Sequence, residues 1–383
     1  MPTVWMVVAT GFHDDVRVRK MAHSVAGFDD VDRVVVLGMN RAGTAPNAVA
    51  ADGDDGGIDV RLHGDPDQQF DSRWAKAPAR AAFLAWAALA IRRESAPGDL
   101  VHAHDLDTAP AGLAARRRTQ HLVLDMHEVY SGRAGLPDRL QRALRAFEDV
   151  ALPRADGVVF VSEAARDHYA DRVDLPPHVV VTNSRSIAEV HPPGPPRDRP
   201  SRLVYVGRLT ADRGLEQVVR MMGLLPDHTL DVIGFGPLEA HLRDVAARLG
   251  DDVTSRITFG APISIDDVVP TLAGFDVGVV TTEPTCANHE LTVSNKLFEY
   301  AAAGLPVLLS DVEEHRRLVA AHPFGAIARS VMPRDLAAAV RTLTDDPTAH
   351  AAAAAAARDL AVDRSWDHEM QGLRELYDSL LAT

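Results

Sequence analysis

The sequence predicts an α/β protein made of two doubly wound, Rossmann-like domains, and three features predict it. An apolar strand (Val4–Ala9), a glycine-containing loop (Thr10–Asp14) and a helix-spaced stretch (Val16–Val25) open the chain, and the same order begins again at Leu203. That order starts a doubly wound domain, whose ligands gather at the carboxyl ends of the strands. Between the two starts lies Pro192–Pro200, PPGPPRDRP, where repeated prolines exclude helix and central strand and leave a semi-rigid spacer. With 383 residues, 46% of them apolar, the chain is long enough for two cores.

The bulk numbers exclude some partners. A formal net charge of −14 argues against nucleic acid and anionic membrane as main partners, although Arg116, Arg117 and Arg118 can form a local basic patch. One cysteine, Cys286, excludes an internal disulfide and fits a reducing cytosol. MPTVWMVVATG has neither the basic region nor the apolar length of a signal peptide, and Ala81–Ile91 is too short to span a bilayer. A cytoplasmic location with at most peripheral membrane contact is expected. High Ala, Arg, Asp and Val content points to a GC-rich bacterial genome.

In the first domain, Val34–Leu37 reads as the second strand, Gly53–Gly57 as an acidic turn and Val60–Leu62 as a further strand. Pro66–Lys76 is polar, and Ala81–Arg93 is helical. No GxGxxG follows the first strand, so a dinucleotide site is not supported. His104, Asp105 and Asp107 follow the strand Leu100–Ala103, while Asp125, His127 and Glu128 follow His121–Leu124. Titratable groups at the ends of two successive strands face one crevice. Such ligands suit zinc or manganese. However, neither cluster has an i, i+4 helical pair and the two arise from different strands, so no metal is expected. A structural histidine capping a strand end is the plainer alternative. Arg139–Ala151 is an amphipathic helix, Ala155–Ser162 a strand, and Val179–Asn183 closes the domain.

In the second domain, Leu203–Val206 runs into GRLTADRG, which sets Arg208 and Arg213 at a crevice end. Two guanidinium forks near a helix start match the oxygens of a diphosphate; the alternative is two ordinary surface arginines. Leu230–Ile233, Ile257–Gly260 and Phe275–Val280 are strands, and Gly234-Phe235-Gly236-Pro237 is a turn. From Asn288 to Asp311 the chain reads as a polar loop, a helix over Lys296–Ala303 and a buried strand over Val307–Leu309. Ser294 and Asn295 are good N-cap residues, Gly304 takes the C′ position, and Pro306 prevents continuation. Such a helix start favours a phosphate. Glu299, one turn inside, would repel a phosphate and is better turned to the two hydroxyls of a ribose, or it is simply solvated. Ala349–Ala357 is read as helix, and SWDHEMQGLRELYDSLL at the end has helical period.

NKLFEYAAAGLPV resembles the donor-site signature of the retaining glycosyltransferases of family four, which have the two-domain GT-B fold. The resemblance covers nearly the whole chain and is strongest over 202–311. It implies two Rossmann-like domains facing a central cleft: an acceptor-binding domain over 1–190, a linker over 191–200, a nucleotide-sugar domain over 201–365, and a helix over 366–383 returning to the first domain. It implies that Arg208 and Arg213 hold the donor diphosphate and that Glu299 holds the ribose. It also implies that Gly207, Gly234, Phe235, Ser294, Asn295, Lys296 and Leu297 complete the donor site. His127 matches the histidine that reaches the donor sugar. Gly11, Asp14, His104 and Asp105 fall on the acceptor side. The family pattern has a first Glu where this chain has Leu291, with Glu290 one place off. Either Glu290 substitutes through a shifted loop or the sugar is held differently.

The implied activity is metal-independent, retaining transfer of a sugar from a nucleotide-diphosphate sugar to the hydroxyl of a small-molecule, glycan or lipid-linked acceptor. The nucleotide sugar is a co-substrate, and no cofactor is expected. Two alternatives remain open from sequence: a nucleotide-sugar epimerase of the same fold, and a non-catalytic nucleotide-sugar-binding partner protein.

Overall fold

The computed structural model describes residues 1–12, 15–39, 53–54, 57–64, 73–192, 194 and 197–382. It divides into two units, Met1–Val181 with Met370–Thr383, and Thr182–Glu369.

The first unit contains β1 (Thr3–Val8), α1 (Val16–Ala26), β2 (Arg33–Met39), β3 (Gly53–Asp54), β4 (Ile58–His63) and α2 (Arg73–Glu94). It continues with β5 (Leu100–His104), α3 (Ala109–Ala115), β6 (His121–Met126), α4 (Asp138–Ala151), β7 (Gly157–Phe160), α5 (Glu163–Ala170) and β8 (His178–Val180). The sheet order is β3-β4-β2-β1-β5-β6-β7-β8, parallel except for the antiparallel β3–β4 pair. β1 runs almost wholly apolar because it is covered on both faces, and β5 is buried throughout although it carries His102 and His104; Val4, Met6, Val7, Leu100, Val101 and Ala103 are fully buried. The chain leaves β1 for β2 on one side and returns to β5 on the other. The switch point therefore lies at the carboxyl ends of β1 and β5, where a crevice opens in such sheets.

Three sequence expectations change here. Gly53 and Asp54, expected in a turn, form β3 by pairing with Val60 and Asp59. α2 starts at Arg73 rather than Ala81 and runs through Pro78. A proline ordinarily marks a helix start, but inside a helix it removes one ladder bond, and the rest of the helix continues. The expected strands also stop short: His104 and Asp125 belong to β5 and β6 and are buried, not presented beyond them. Of the polar stretch Pro66–Lys76, positions 66–72 lie outside the described residues.

The second unit contains β9 (Arg202–Arg208), α6 (Leu215–Met221), β10 (Thr229–Phe235), α7 (Glu239–Arg248), α8 (Asp251–Thr254), β11 (Ile257–Gly260), α9 (Val268–Leu272) and β12 (Val277–Val280). Next come α10 (Ala287–Leu291), α11 (Asn295–Ala302), β13 (Val307–Leu309), α12 (Glu313–Ala321), β14 (Gly325–Ile327), α13 (Pro333–Thr344) and α14 (Pro347–Asp363), while α15 (Trp366–Leu381) starts in this unit and continues into the first from Met370. Its sheet, β11-β10-β9-β12-β13-β14, is parallel throughout, with a switch point between β9 and β12. Two apolar clusters cover its faces, one including Leu203, Tyr205 and Val232, the other Val204, Phe298 and Tyr300.

The passage between units falls at Val181–Thr182, ahead of the proline-rich segment expected to link them. Thr182 donates from N and Oγ1 to the Glu369 carboxylate at 2.7 and 2.8 Å. His191 N donates to Ala302 O at 2.7 Å, so the chain before the prolines already belongs to the second unit. At the other end, Met370 onward belongs to the first unit: Tyr377 Oη lies 2.6 Å from His102 Nδ1, and Arg374 pairs with Asp29.

Candidate functional site

The second unit carries a cavity of about 290 Å³ at the carboxyl ends of β9, β12 and β13. Arg213 reaches it from the loop after β9, Thr282 from the end of β12, Ser294–Lys296 from the start of α11, and His315 from the first turn of α12. Two lining residues are cations, Arg213 and Lys296, and none of the described lining residues is a carboxylate. Positive charge at a helix N-terminus defines an anion site.

The local structure explains how each group arrives. α11 begins at Asn295, one residue before the expected start, with Ser294 in the extended backbone expected of an N-cap, but the Ser294 side chain makes no cap hydrogen bond. The helix start is thus not closed by its own cap. The helix ends at Ala302, and Gly304 follows with φ of +72°. Leu297, expected to bind donor, is fully buried in the apolar cluster with Phe298 and Ala301, because the helical period turns that side inward. Only its backbone is available to the site.

Lys296 lies on the backbone of Gly207. A Cβ placed on Gly207 would meet Lys296 Cε at 2.6 Å, and Gly207 has φ of +126°. Gly234, its neighbour across the β9–β10 ladder, is tighter still, since a Cβ there would stand 1.9 Å from Gly207 O. Both glycines serve the site by letting backbone and Lys296 approach closely. Burial, reinforced by Arg213, lowers the Lys296 ammonium to a pKa of about 8. Its Nζ stands 5.2 Å over the Tyr205 ring. Arg213 Nη1 reaches Thr282 Oγ1 at 3.4 Å, and Nε lies 3.4 Å from Asp212.

Other expected donor residues fall differently. Arg208 ends β9 exposed and is not among the residues lining the cavity. Phe235, paired with it across the ladder, is also exposed, at 58%. Glu290 does not line the cavity; one carboxylate oxygen stands 3.4 Å from the N–H of Glu313, at the start of α12. On α10 the residues before it, Asn288 and His289, are the ones that line the cavity. Glu299 is largely buried and faces Arg185 at 3.5 Å. Burial raises its pKa, and Arg185 opposes that rise.

In the first unit the expected cluster forms, but turned inward. Asp125 is fully buried. Arg17 Nη2 donates to its Oδ1 at 2.8 Å, and its Oδ2 is shared by His104 Nδ1 at 3.1 Å and His127 Nε2 at 3.0 Å. Burial opposes the charge of Asp125, but Arg17 and His127 hold its pKa well below the usual carboxylate range. Asp105, with φ of +69°, accepts from the His127 backbone N–H at 3.1 Å and lies 3.4 Å from its Nδ1. Burial alone would discharge His127, but the two carboxylates raise it to about 9. Both of its ring nitrogens are therefore engaged inside the unit. His104, expected on the acceptor side, is buried, stacked on His102 at 4.4 Å, and kept neutral by burial.

His102, His104 and Asp125 bring ligand atoms within 4.8 Å of one another. A cation there would face the Arg17 guanidinium already paired with Asp125, so the arrangement is better explained as an internal ion-pair network. Gly11 is buried in the segment that follows β1, and Asp14 lies outside the described residues.

Sequence reasoning missed Arg17, Arg185, Thr282, Asn288, His289 and His315. Thr282 stands just past the carboxyl end of β12, and that rule alone would have selected it, whereas His315 lies on the first turn of α12, beyond the loop that follows β13. Arg17 and Arg185 carry no sequence signal, since their roles come from partners more than a hundred residues away.

Residues 200–346 match the family model described as glycosyl transferases group 1, and residues 32–187 match that of glycosyltransferase family 4. The chain belongs to this glycosyltransferase family and is a glycosyltransferase. It is 28% identical over 293 residues to the glycogen synthase of Mycobacterium tuberculosis, covering 73% of this chain and 68% of that protein. Its structure is similar to sucrose-phosphate synthase from Thermosynechococcus elongatus, with TM-score 0.79, 18% identity and complete coverage of both chains. It is also similar to Anabaena HepE in complex with UDP, with TM-score 0.72, 16% identity, and coverage of 99% of this chain and 100% of that one. These likenesses show the GT-B fold. No helix among the described residues is long and apolar enough to cross a membrane.

Proposed function

We propose that the chain transfers a sugar, with retention and without a metal ion, from a nucleotide-diphosphate sugar to an acceptor hydroxyl. One observation carries the reading: Arg213, Lys296 and the uncapped start of α11 meet at one cavity that has no carboxylate in its described lining. Two fixed cations and backbone N–H groups supply, in place of a divalent ion, the charge that a departing diphosphate needs. The UDP held by the Anabaena relative supports a nucleotide in this fold. Glu299, one turn into α11, is placed to exchange Arg185 for ribose hydroxyls. Arg208, exposed at the rim of the sheet, is proposed to close on the diphosphate when the donor binds.

In front-face transfer the bond from the sugar C1 to the phosphate oxygen breaks, and a bond to the acceptor oxygen forms on the same face. The acceptor proton passes to the leaving phosphate, so no enzymic nucleophile is needed. The first unit supplies the acceptor side in this reading, with a small-molecule, glycan or lipid-linked hydroxyl as acceptor. Incubation with UDP-, GDP-, ADP- and dTDP-hexoses and an acceptor panel tests it. A product with the donor's anomeric configuration, formed in the presence of EDTA, is expected. An inverted product, or loss of activity in EDTA, contradicts it, and a new nucleotide sugar formed without acceptor identifies an isomerase instead.

A further inference from the structure

One cavity wall carries no diphosphate or ribose contact in this reading. His315, on the first turn of α12, lines the cavity while being only 2% exposed. Its Nδ1 lies 2.9 Å from Ser310 O. A carbonyl oxygen only accepts, so Nδ1 carries the ring proton and Nε2 is left as a bare acceptor. Burial pushes the ring's pKa down to about 4, which keeps it neutral at neutral pH. His289 on the neighbouring wall differs, because its Nδ1 donates to Glu283 O at 2.9 Å and its Nε2 faces Asp212 at 3.7 Å.

A lone pair on a residue of the cavity wall repels phosphate oxygens and attracts a hydroxyl. The cavity also lacks the acceptor that the family pattern supplies, since the position of the first Glu is Leu291 and Glu290 does not line the cavity. We infer that His315 Nε2 accepts a hydrogen bond from a hydroxyl of the donor sugar and takes over the role of the missing carboxylate. The inference rests on the donor-site reading above. It also sets a substrate class, a neutral hexosyl group presenting a hydroxyl at this point, because a uronyl carboxylate would meet the same lone pair.

The two amide substitutions separate this role from a structural one. In His315→Asn the amide nitrogen falls near Nδ1, keeping the Ser310 bond and removing the cavity acceptor. In His315→Gln the amide reaches toward Nε2 and gives up the Ser310 bond. Titration with UDP, GDP, ADP and dTDP, and with their glucose, galactose, mannose and N-acetylglucosamine esters, reads nucleotide and sugar contributions apart. We expect His315→Asn to keep nucleotide affinity within twofold. Its affinity for the preferred nucleotide sugar should fall about tenfold, the worth of one buried hydrogen bond, and His315→Gln should recover most of that loss.

The inference is overturned if Asn behaves as wild type, if Asn preserves sugar affinity while Gln loses it, or if both lose nucleotide and sugar alike. Wild-type protein that binds nucleotides but no hexosyl ester also overturns it. Wild-type protein that binds neither overturns the donor site itself, and this inference with it.

Discussion

The side chain of Lys296 lies across Gly207, so close that a single added methyl group would stand 2.6 Å from Lys296 Cε. One glycine at the end of β9 thereby sets the position of a cation at the start of α11. Gly207→Ala must displace Lys296 and must also hold an L-residue at φ of +126°, a strain of about 1–3 kcal/mol. We expect nucleotide affinity to fall at least tenfold by calorimetry, with a lowered melting temperature. Affinity within twofold of wild type would show that Lys296 is not held there by the glycine.

The Lys296 ammonium, with a pKa near 8 in the free protein, gives the donor site a pH dependence. An anionic ligand binds the protonated form better and so raises the pKa on binding. Affinity for a nucleoside diphosphate should be highest below pH 8 and should fall as pH rises through 8 toward 9.5. Lys296→Met should bind weakly and lose this slope. Equal slopes in the two proteins would assign the titration elsewhere.

Glu299 is largely buried and faces Arg185 at 3.5 Å. If a ribose replaces Arg185 as its partner, the wild-type protein should prefer a ribonucleoside diphosphate over its 2′,3′-dideoxy form by about tenfold or more, given about 1.5–3 kcal/mol for hydrogen bonds to a charged group. Glu299→Ala should bind both forms equally. Persistent preference in that variant would remove Glu299 from the ribose contact.

The Arg17–Asp125 pair with His127 makes a prediction about stability rather than turnover. Removing one partner of a buried pair leaves an uncompensated charge, so Asp125→Ala should cost about 3–5 kcal/mol in chemical denaturation. His127 gains a proton affinity on folding, from about 6.5 to about 9. Its contribution, on the order of 3 kcal/mol, is complete below pH 6.5 and is lost as pH rises through 9. His127→Gln should flatten the stability curve over that window. An unchanged curve would mean that the imidazolium does not bridge Asp105 and Asp125.

Much of this architecture is legible in the sequence because local chemistry agrees with it. Gly304 after an apolar helix, the apolar run of Val307–Leu309 and the repeated strand–glycine–helix openings each have one ready explanation, and the structure follows them. The strand-end rule also located Arg213 and Ser294–Lys296 at the cavity. What failed was the direction in which side chains point. Polar residues at strand ends ordinarily face a crevice, which places His104 and Asp125 outward. Asp125 faces inward because Arg17, carried on α1, neutralises it there, and His104 turns in to share its Oδ2. Glu290 and Arg208 match by motif position, yet α10 turns Glu290 toward Glu313 and Arg208 stays exposed at the end of β9. Such pairings depend on residues distant in sequence, which periodicity and spacing do not encode.

The central claim is that the cavity formed by Arg213, Lys296 and the start of α11 binds the diphosphate of a nucleotide sugar. The most direct test is calorimetric titration of the wild-type protein and of Lys296→Met with UDP, GDP, ADP and dTDP. Binding of one nucleotide by the wild-type protein, weakened at least tenfold in the variant, is the result predicted. No binding by any of the four, or equal binding by both proteins, would contradict it.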